Sequence, residues 1–149
     1  MPRFQFRLQQ YLGVKEQIED QKELEYGRAL QKLEEEKLKL VSMQNQITEN
    51  IDALRSSITK SISPMEIRRY NNTIERLKHQ IQVQEEVIKS AEAFVEEKRQ
   101  ELVQAMKERK ALEIVRDKAR EEFNLEQNLA EQKQVDELVS FKYTDKLKV

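Results

Sequence analysis

The sequence has almost none of the residues that break helices, cross-link chains or hold metals. It contains two glycines, two prolines, one histidine, and neither cysteine nor tryptophan. Without cysteine there is no disulfide framework and no thiol nucleophile, and one histidine leaves a zinc site short of its usual ligands. Gly13 and Gly27 stand apart, so there is no glycine-rich loop for phosphate groups. These absences argue against an enzyme, and we expect no catalytic residue, metal ion or other cofactor.

An excess of charge of one sign is also lacking. The chain has 27 basic and 28 acidic residues, and its formal net charge is −1. Proteins that bind nucleic acid normally carry a basic face, so we expect no nucleic-acid partner. No apolar run is long enough for a signal peptide or a bilayer span. The sequence therefore predicts a soluble protein without direct membrane insertion, which reaches a membrane only through a partner.

What the sequence does contain is a long heptad repeat. From residue 67 to residue 102 an aliphatic residue stands at every seventh position, and a second column follows three residues later. This spacing averages 3.5 residues, which keeps a stripe on one face only if helices supercoil left-handedly. The columns are Ile67, Ile74, Ile81, Ile88, Val95 and Leu102, and Tyr70, Leu77, Gln84, Ala91, Lys98 and Ala105.

One segment interrupts the helical pattern, between residues 56 and 67. Ser63 suits the N-cap position, Pro64 suits the first helical position, and Glu66 completes a capping box. We therefore predict helix 1 over about 8–58, a turn over 59–63, helix 2 over about 64–140 and a tail over 141–149, in a single domain, 1–149.

A short loop between long helices makes them antiparallel neighbours. The predicted fold is all-α, an antiparallel left-handed coiled-coil hairpin whose longer second helix has a C-terminal overhang. Helix 1 supplies two columns, and we predict layers whose residue numbers sum to 121. A parallel homodimer kinked at Pro64 stays open as an alternative. The helix 1 columns are Tyr26, Leu33, Leu40, Ile47 and Leu54, and Leu30, Lys37, Gln44, Ile51 and Ile58.

In that register helix 2 continues past the start of helix 1. The overhang is either a frayed tail or a surface that meets another protein, because isolated helices gain most of their stability from packing. Its apolar residues are Phe123, Leu125, Leu129, Val135 and Leu138.

Short motifs occur in a fixed order at both chain ends and beside the turn. Phe4-x-Phe6-x-Leu8 precedes Tyr11-Leu12 and Lys15-Glu16. Ile67 and Tyr70-x-x-x-Ile74-x-x-Leu77 follow the turn, and Glu131-Gln132-Lys133-Gln134-Val135-Asp136-Glu137-Leu138 lies near the C-terminus. In order and spacing these motifs resemble the bacterial flagellar FliJ family, over nearly the whole chain. Thr73 is a departure, since members of that family often carry an aromatic residue there.

The resemblance implies a soluble component of the flagellar type III protein export apparatus that is cytoplasmic and peripheral at the inner face of the cell membrane, at the flagellar base. The implied partners are the hexameric export ATPase, the cytoplasmic part of the membrane-embedded export gate, and export chaperones. Members of the family form a stalk-like coiled coil at the centre of the ATPase ring. They promote ring assembly, couple the ring to the gate and are linked to chaperone recycling. We expect a monomer on its own.

The resemblance also suggests which residues contact each partner. Two other functions remain open: a general coiled-coil scaffold or chaperone, and the stalk of a virulence type III secretion system. For the ATPase we expect Phe4, Phe6, Leu8, Phe123, Gln132, Lys133, Asp136 and Glu137. For the gate we expect Leu40, Ile47, Tyr70 and Leu77, which are also seam positions.

Overall fold

The computed structural model describes residues 2–147, which form two helices. Helix α1 spans Gln9–Ile58, and helix α2 spans Pro64–Leu147 and packs against α1 in a hairpin. The described residues contain no strand, so the predicted all-α hairpin with a longer second helix is confirmed. Contacts divide the chain into two compact units, Asp20–Val103 and the remaining residues on either side of it. The single domain over 1–149 stays a prediction.

The second helix ends later than predicted. Residues 141–147 are helical and not a tail, because they contain neither glycine nor proline and nothing in them stops the helix. The Thr144 hydroxyl donates to the carbonyl oxygen of Ser140 at 2.9 Å, which is a bond within the continuing helix. Residues 148 and 149 of the predicted tail lie outside the described residues.

The turn between the helices spans residues 59–63, as predicted. The backbone N–H of Glu66 donates to the carbonyl oxygen of Ser63 at 3.1 Å and to its hydroxyl oxygen at 3.3 Å. Because a side-chain oxygen that accepts from a first-turn N–H defines an N-cap, the predicted cap at Ser63 is confirmed. Pro64 begins the helix, where its missing N–H leaves no bond unmade.

Burial along α2 follows the two predicted columns. Every column position from Ile67 to Ala105 is buried or half-buried. In α1 the column from Tyr26 to Leu54 also faces inward, but the second column lies one residue earlier than predicted. Leu30 and Ile58 of the predicted column are exposed. The observed second column consists of Ala29, Glu36, Met43, Asn50 and Ser57.

This displacement of one column changes the register within the unit Asp20–Val103. In an antiparallel pair an a position layers against a d position, and the observed columns then allow sums of 117, 124 or 131. Two cross-helix ion pairs, Lys22–Glu101 at 3.3 Å and Glu25–Lys98 at 3.4 Å, each join residues whose numbers sum to 123. Of the three allowed sums, 124 is the one nearest to these ion pairs, so it gives the register of the helices. The predicted sum of 121 is therefore wrong. In the observed register Leu33 layers against Ala91.

A backbone strain in the turn leads to a prediction. Ser61 has φ 64°, in the left-handed region that costs an L-residue about 1–2 kcal/mol and costs glycine little. We predict that Ser61→Gly raises the free energy of unfolding by up to about 1 kcal/mol, measured by urea denaturation followed by circular dichroism. The control is Ser56→Gly, at an exposed position inside α1, where the substitution should lower the free energy of unfolding by up to about 1 kcal/mol. Equal losses in both variants would contradict the account.

Candidate functional site

Both chain ends contribute to an aromatic cluster in the unit that contains them. The segment before α1 is not helical, and the ring of Phe4 lies against the ring of Phe123, with centroids 5.6 Å apart and planes tilted by 54°. The guanidinium group of Arg120 lies 5.5 Å from the Phe4 ring centroid, within the range of a cation–π contact. Two residues predicted for the ATPase end are therefore brought together. Arg120 was not predicted, because the heptad analysis stopped at residue 105.

An open groove runs beside this cluster. Phe6 is half-buried there, whereas Leu8, the third predicted residue of the N-terminal motif, is 40% exposed. Arg116 belongs to the seam column that Phe123 continues, and the sequence analysis missed it as well. The residues that line the groove are Phe4, Gln5, Phe6, Gln9, Arg116 and Arg120.

Ion pairs join the two helices in the same unit. The ammonium group of Lys15 lies 2.9 Å from a carboxylate oxygen of Glu108, and this hydrogen bond raises the pKa of Lys15. Arg109 pairs with Glu19 and, at 2.8 Å, with Glu113, and Glu19 contributes most to its raised pKa. Half-buried charged groups thus replace apolar packing in this part of the seam.

Beyond Phe123 the second helix exposes many large apolar side chains. Leu125, Leu129, Val135 and Leu138 are exposed, as the predicted overhang requires, whereas Phe123 is covered by Phe4. Sequence analysis missed Phe141, Tyr143 and Leu147 because it ended the helix near residue 140, and it did not name Val139. The exposed apolar side chains of the overhang, at 56–71%, are Leu125, Leu129, Val135, Leu138, Val139, Phe141, Tyr143 and Leu147.

Part of this surface repeats at helical spacing. Successive steps of four and three residues place one set of exposed side chains along a single face of α2, which we call the overhang stripe. The stripe includes two of the predicted polar contact residues, and the other two, Lys133 and Glu137, are exposed next to it. The overhang stripe consists of Leu125, Leu129, Gln132, Asp136, Val139 and Tyr143.

The residues predicted for the gate lie in the other unit and differ in accessibility. Leu77 is only 4% exposed, whereas Leu40, Ile47 and Tyr70 are half-buried. Tyr70 lines an open groove that is accessible to a partner, and Leu77 is occupied with packing. The groove is formed by Asn50, Glu66, Arg69, Tyr70 and Thr73.

A buried polar layer crosses the seam near the middle of α1. The amide nitrogen of Gln84 donates to the carbonyl oxygen of Glu36 at 2.9 Å and to its carboxylate at 2.6 Å. Lys32 and Lys39 pair with the same carboxylate at 3.0 and 3.3 Å. The hydrogen bonds from Gln84 and Lys32 lower the pKa of Glu36 to about 2. The predicted sum of 121 places Lys37 opposite Gln84, and that pairing is wrong because Lys37 is exposed.

Neither a metal site nor a membrane span is present among the described residues. No group of three or more histidine, cysteine, aspartate or glutamate side chains is arranged there to hold a metal ion. No helix in that part of the chain is long and apolar enough to cross a membrane.

Almost the whole chain matches one protein family. The family model described as Flagellar FliJ protein matches residues 4–148. The chain belongs to the FliJ family. A comparison with curated proteins and one with solved structures found no significant match. The match confirms the resemblance drawn from the motifs. Members of the FliJ family are components of the flagellar type III export apparatus.

The polar layer generates a prediction on pH dependence. Since the folded-state pKa of Glu36 lies below its ordinary value of 4.5, its ionised form stabilises the fold above that pH. This contribution is lost as the pH falls toward about 2. We predict that Glu36→Gln is less stable than the wild type at neutral pH and loses less stability between pH 4.5 and pH 2. The measurement is the urea midpoint at each pH, with Glu34→Gln, at an exposed position, as the control. Parallel curves for Glu36→Gln and the wild type would refute the assignment.

Proposed function

We propose that this FliJ-family protein acts as a stalk at the centre of the hexameric export ATPase ring. It promotes ring assembly and couples the ring to the export gate. The observation that carries the proposal is the overhang stripe, a helical face with four apolar and two polar side chains that α1 and the N-terminal segment leave exposed. Burial of such a face against another protein would stabilise the complex, because large exposed apolar patches commonly mark interaction sites.

The ATPase contact that we propose combines apolar and polar parts. The aromatic cluster of Phe4 and Phe123 ends the covered seam, and the overhang stripe continues from it along α2. Apolar side chains at the centre of an interface supply most of the affinity, and exposed polar groups at its rim supply specificity. Gln132 and Asp136 lie within the stripe and Lys133 and Glu137 lie next to it, and we assign all four to the polar part of the contact. We place Phe6 and Leu8 beside the cluster.

For the export gate we propose a second contact on the hairpin, centred on Tyr70. Its ring lines an open groove, so a partner side chain could pack against it. Leu40 and Ile47 are half-buried in the seam and can contribute only at their exposed edges. Leu77 supports the contact indirectly, through packing against α1.

The remaining parts of the proposal follow from the same role. The protein supplies no nucleotide chemistry, which belongs to the ATPase, and needs no cofactor. It acts as a monomer in the cytoplasm, peripheral to the cell membrane at the flagellar base, and it participates in the recycling of export chaperones.

The test is ATP hydrolysis by the matching export ATPase with and without this full-length protein. We predict that the wild-type chain raises turnover. Val139→Ser/Tyr143→Ser should need at least a tenfold higher concentration for half the effect, since burial of each large apolar side chain is worth about 1.5–3 kcal/mol.

The matched control lies on another face of the same helical segment. Glu131→Gln/Lys142→Gln changes two exposed residues outside the overhang stripe and should stimulate turnover as the wild type does. Helix content of each variant is checked by circular dichroism. Absence of stimulation by the wild type would remove the stalk, and a general scaffold would remain. Equal effects of the two double variants would remove the stripe as the contact.

A further inference from the structure

The residues around the turn carry an excess of positive charge that the composition of the whole chain hides. We call residues 53–74 the tip segment; it lies between Asp52 and Glu75. It contains four cationic side chains, Arg55, Lys60, Arg68 and Arg69, and one carboxylate, Glu66, which makes its net charge +3. The whole chain has a net charge of −1. A partner that approaches the turn therefore meets a field opposite in sign to that of the complete protein.

The four cationic groups of the tip segment are exposed and free of ion pairs. All ion pairs among residues 2–147 lie outside the tip segment, and those nearest to it in sequence are Lys39–Glu36 and Lys78–Glu75. Another basic stretch, residues 107–120, also has a net charge of +3, but it lies in the middle of α2 and two of its six cationic groups, Arg109 and Arg116, are paired with carboxylates. At the turn itself cationic groups outnumber carboxylates, and none of these cationic groups is held in an ion pair among the described residues.

Two large apolar side chains are exposed on either side of the turn. Ile58, the last residue of α1, is 55% exposed, and Met65, the second residue of α2, is 69% exposed. Neither residue belongs to a seam column of the observed register. Apolar side chains among cationic ones are the combination that binds the interfacial region of a bilayer, where apolar groups enter the headgroup layer and cations meet phosphate groups.

We propose that the tip segment binds directly to anionic phospholipid headgroups. The cationic groups come from the end of α1, the turn and the start of α2, so they surround the turn and do not line one groove. An extended anionic surface presents many charged groups to these three consecutive segments, whereas a single acidic side chain meets only one of them. The expectation that a membrane is reached only through a partner depended on the absence of a long apolar run, and a peripheral contact of the tip segment needs no such run.

This inference goes beyond the proposed function, in which the gate provides the link to the membrane. The contact is peripheral, because the described residues include no helix able to span a bilayer. Ile58 and Met65 enter the headgroup region, and the cationic side chains supply attraction that salt screens. This peripheral contact would hold the hairpin at the membrane surface whether or not the ATPase is bound.

The test is flotation of the full-length protein with vesicles of phosphatidylcholine alone or mixed with phosphatidylglycerol. We expect binding only to the mixed vesicles, and weaker binding as salt rises. Each cationic group near an anionic surface strengthens binding about fivefold, so Lys60→Gln/Arg68→Gln/Arg69→Gln should bind about a hundredfold more weakly. Ile58→Ser/Met65→Ser should bind several-fold more weakly at every salt concentration.

The matched control removes the same charge elsewhere. Lys107→Gln/Lys110→Gln/Lys118→Gln changes three exposed residues outside the tip segment and should bind as the wild type does. Absence of binding to the mixed vesicles, or equal losses in the two triple variants, would overturn the proposal. So would displacement from the vesicles by polyglutamate at equal anionic charge, because the site would then prefer an acidic polypeptide. Stimulation of the ATPase is assayed separately, so failure of either proposal leaves the other testable.

Discussion

The hydrogen bonds between Gln84 and Glu36 fix how the two helices of this protein meet. The apolar columns repeat every seven residues, so sliding one helix by a heptad would again oppose apolar side chains in most layers. The polar layer would not survive such a slip. Gln84 would lose both acceptors on Glu36, and the carboxylate that Lys32 and Lys39 hold would face apolar neighbours. Buried polar groups without partners are expensive, so this layer selects a single register.

The path of the N-terminal segment decides which part of α2 remains exposed in the unit that holds both chain ends. Because α2 is much longer than α1, the helices cannot cover each other over their full lengths. In the unit that holds both chain ends, the N-terminal segment extends the covered part of α2 to Phe123 through the ring of Phe4. The overhang stripe starts immediately beyond.

Sequence alone was sufficient for the α2 columns and the helix start at Ser63. In α2 the column positions are mostly aliphatic, and the cap depends on neighbouring residues only. The prediction of the second α1 column was wrong because the observed column is less apolar than the adjacent, predicted one. The observed column includes Glu36, Asn50 and Ser57, and the predicted one includes Leu30, Ile51 and Ile58. Tertiary packing against α2 decided between them, and no local pattern in α1 records that preference.

The individual residues of the candidate site could be predicted from the sequence, but the contacts among them could not. The exposed apolar residues of the overhang were predictable because helix 2 is much longer than helix 1, but the contact between Phe4 and Phe123 depends on the path of a non-helical segment. The cation–π contact of Arg120 depends on the same path. The late end of α2 was missed because residues 141–147 have no strong helical signature of their own, and the helix simply continues through them.

The most direct measurement of the central claim is a cross-link between α1 and α2 within one chain. In the observed register Leu33 layers against Ala91, so Leu33→Cys/Ala91→Cys should oxidise within a monomer. The pair Ile47→Cys/Ala91→Cys moves one cysteine by about 21 Å along α1 and should stay reduced. Disulfide-linked dimers without an intrachain bond, or equal oxidation of both pairs, would contradict the antiparallel hairpin in this register.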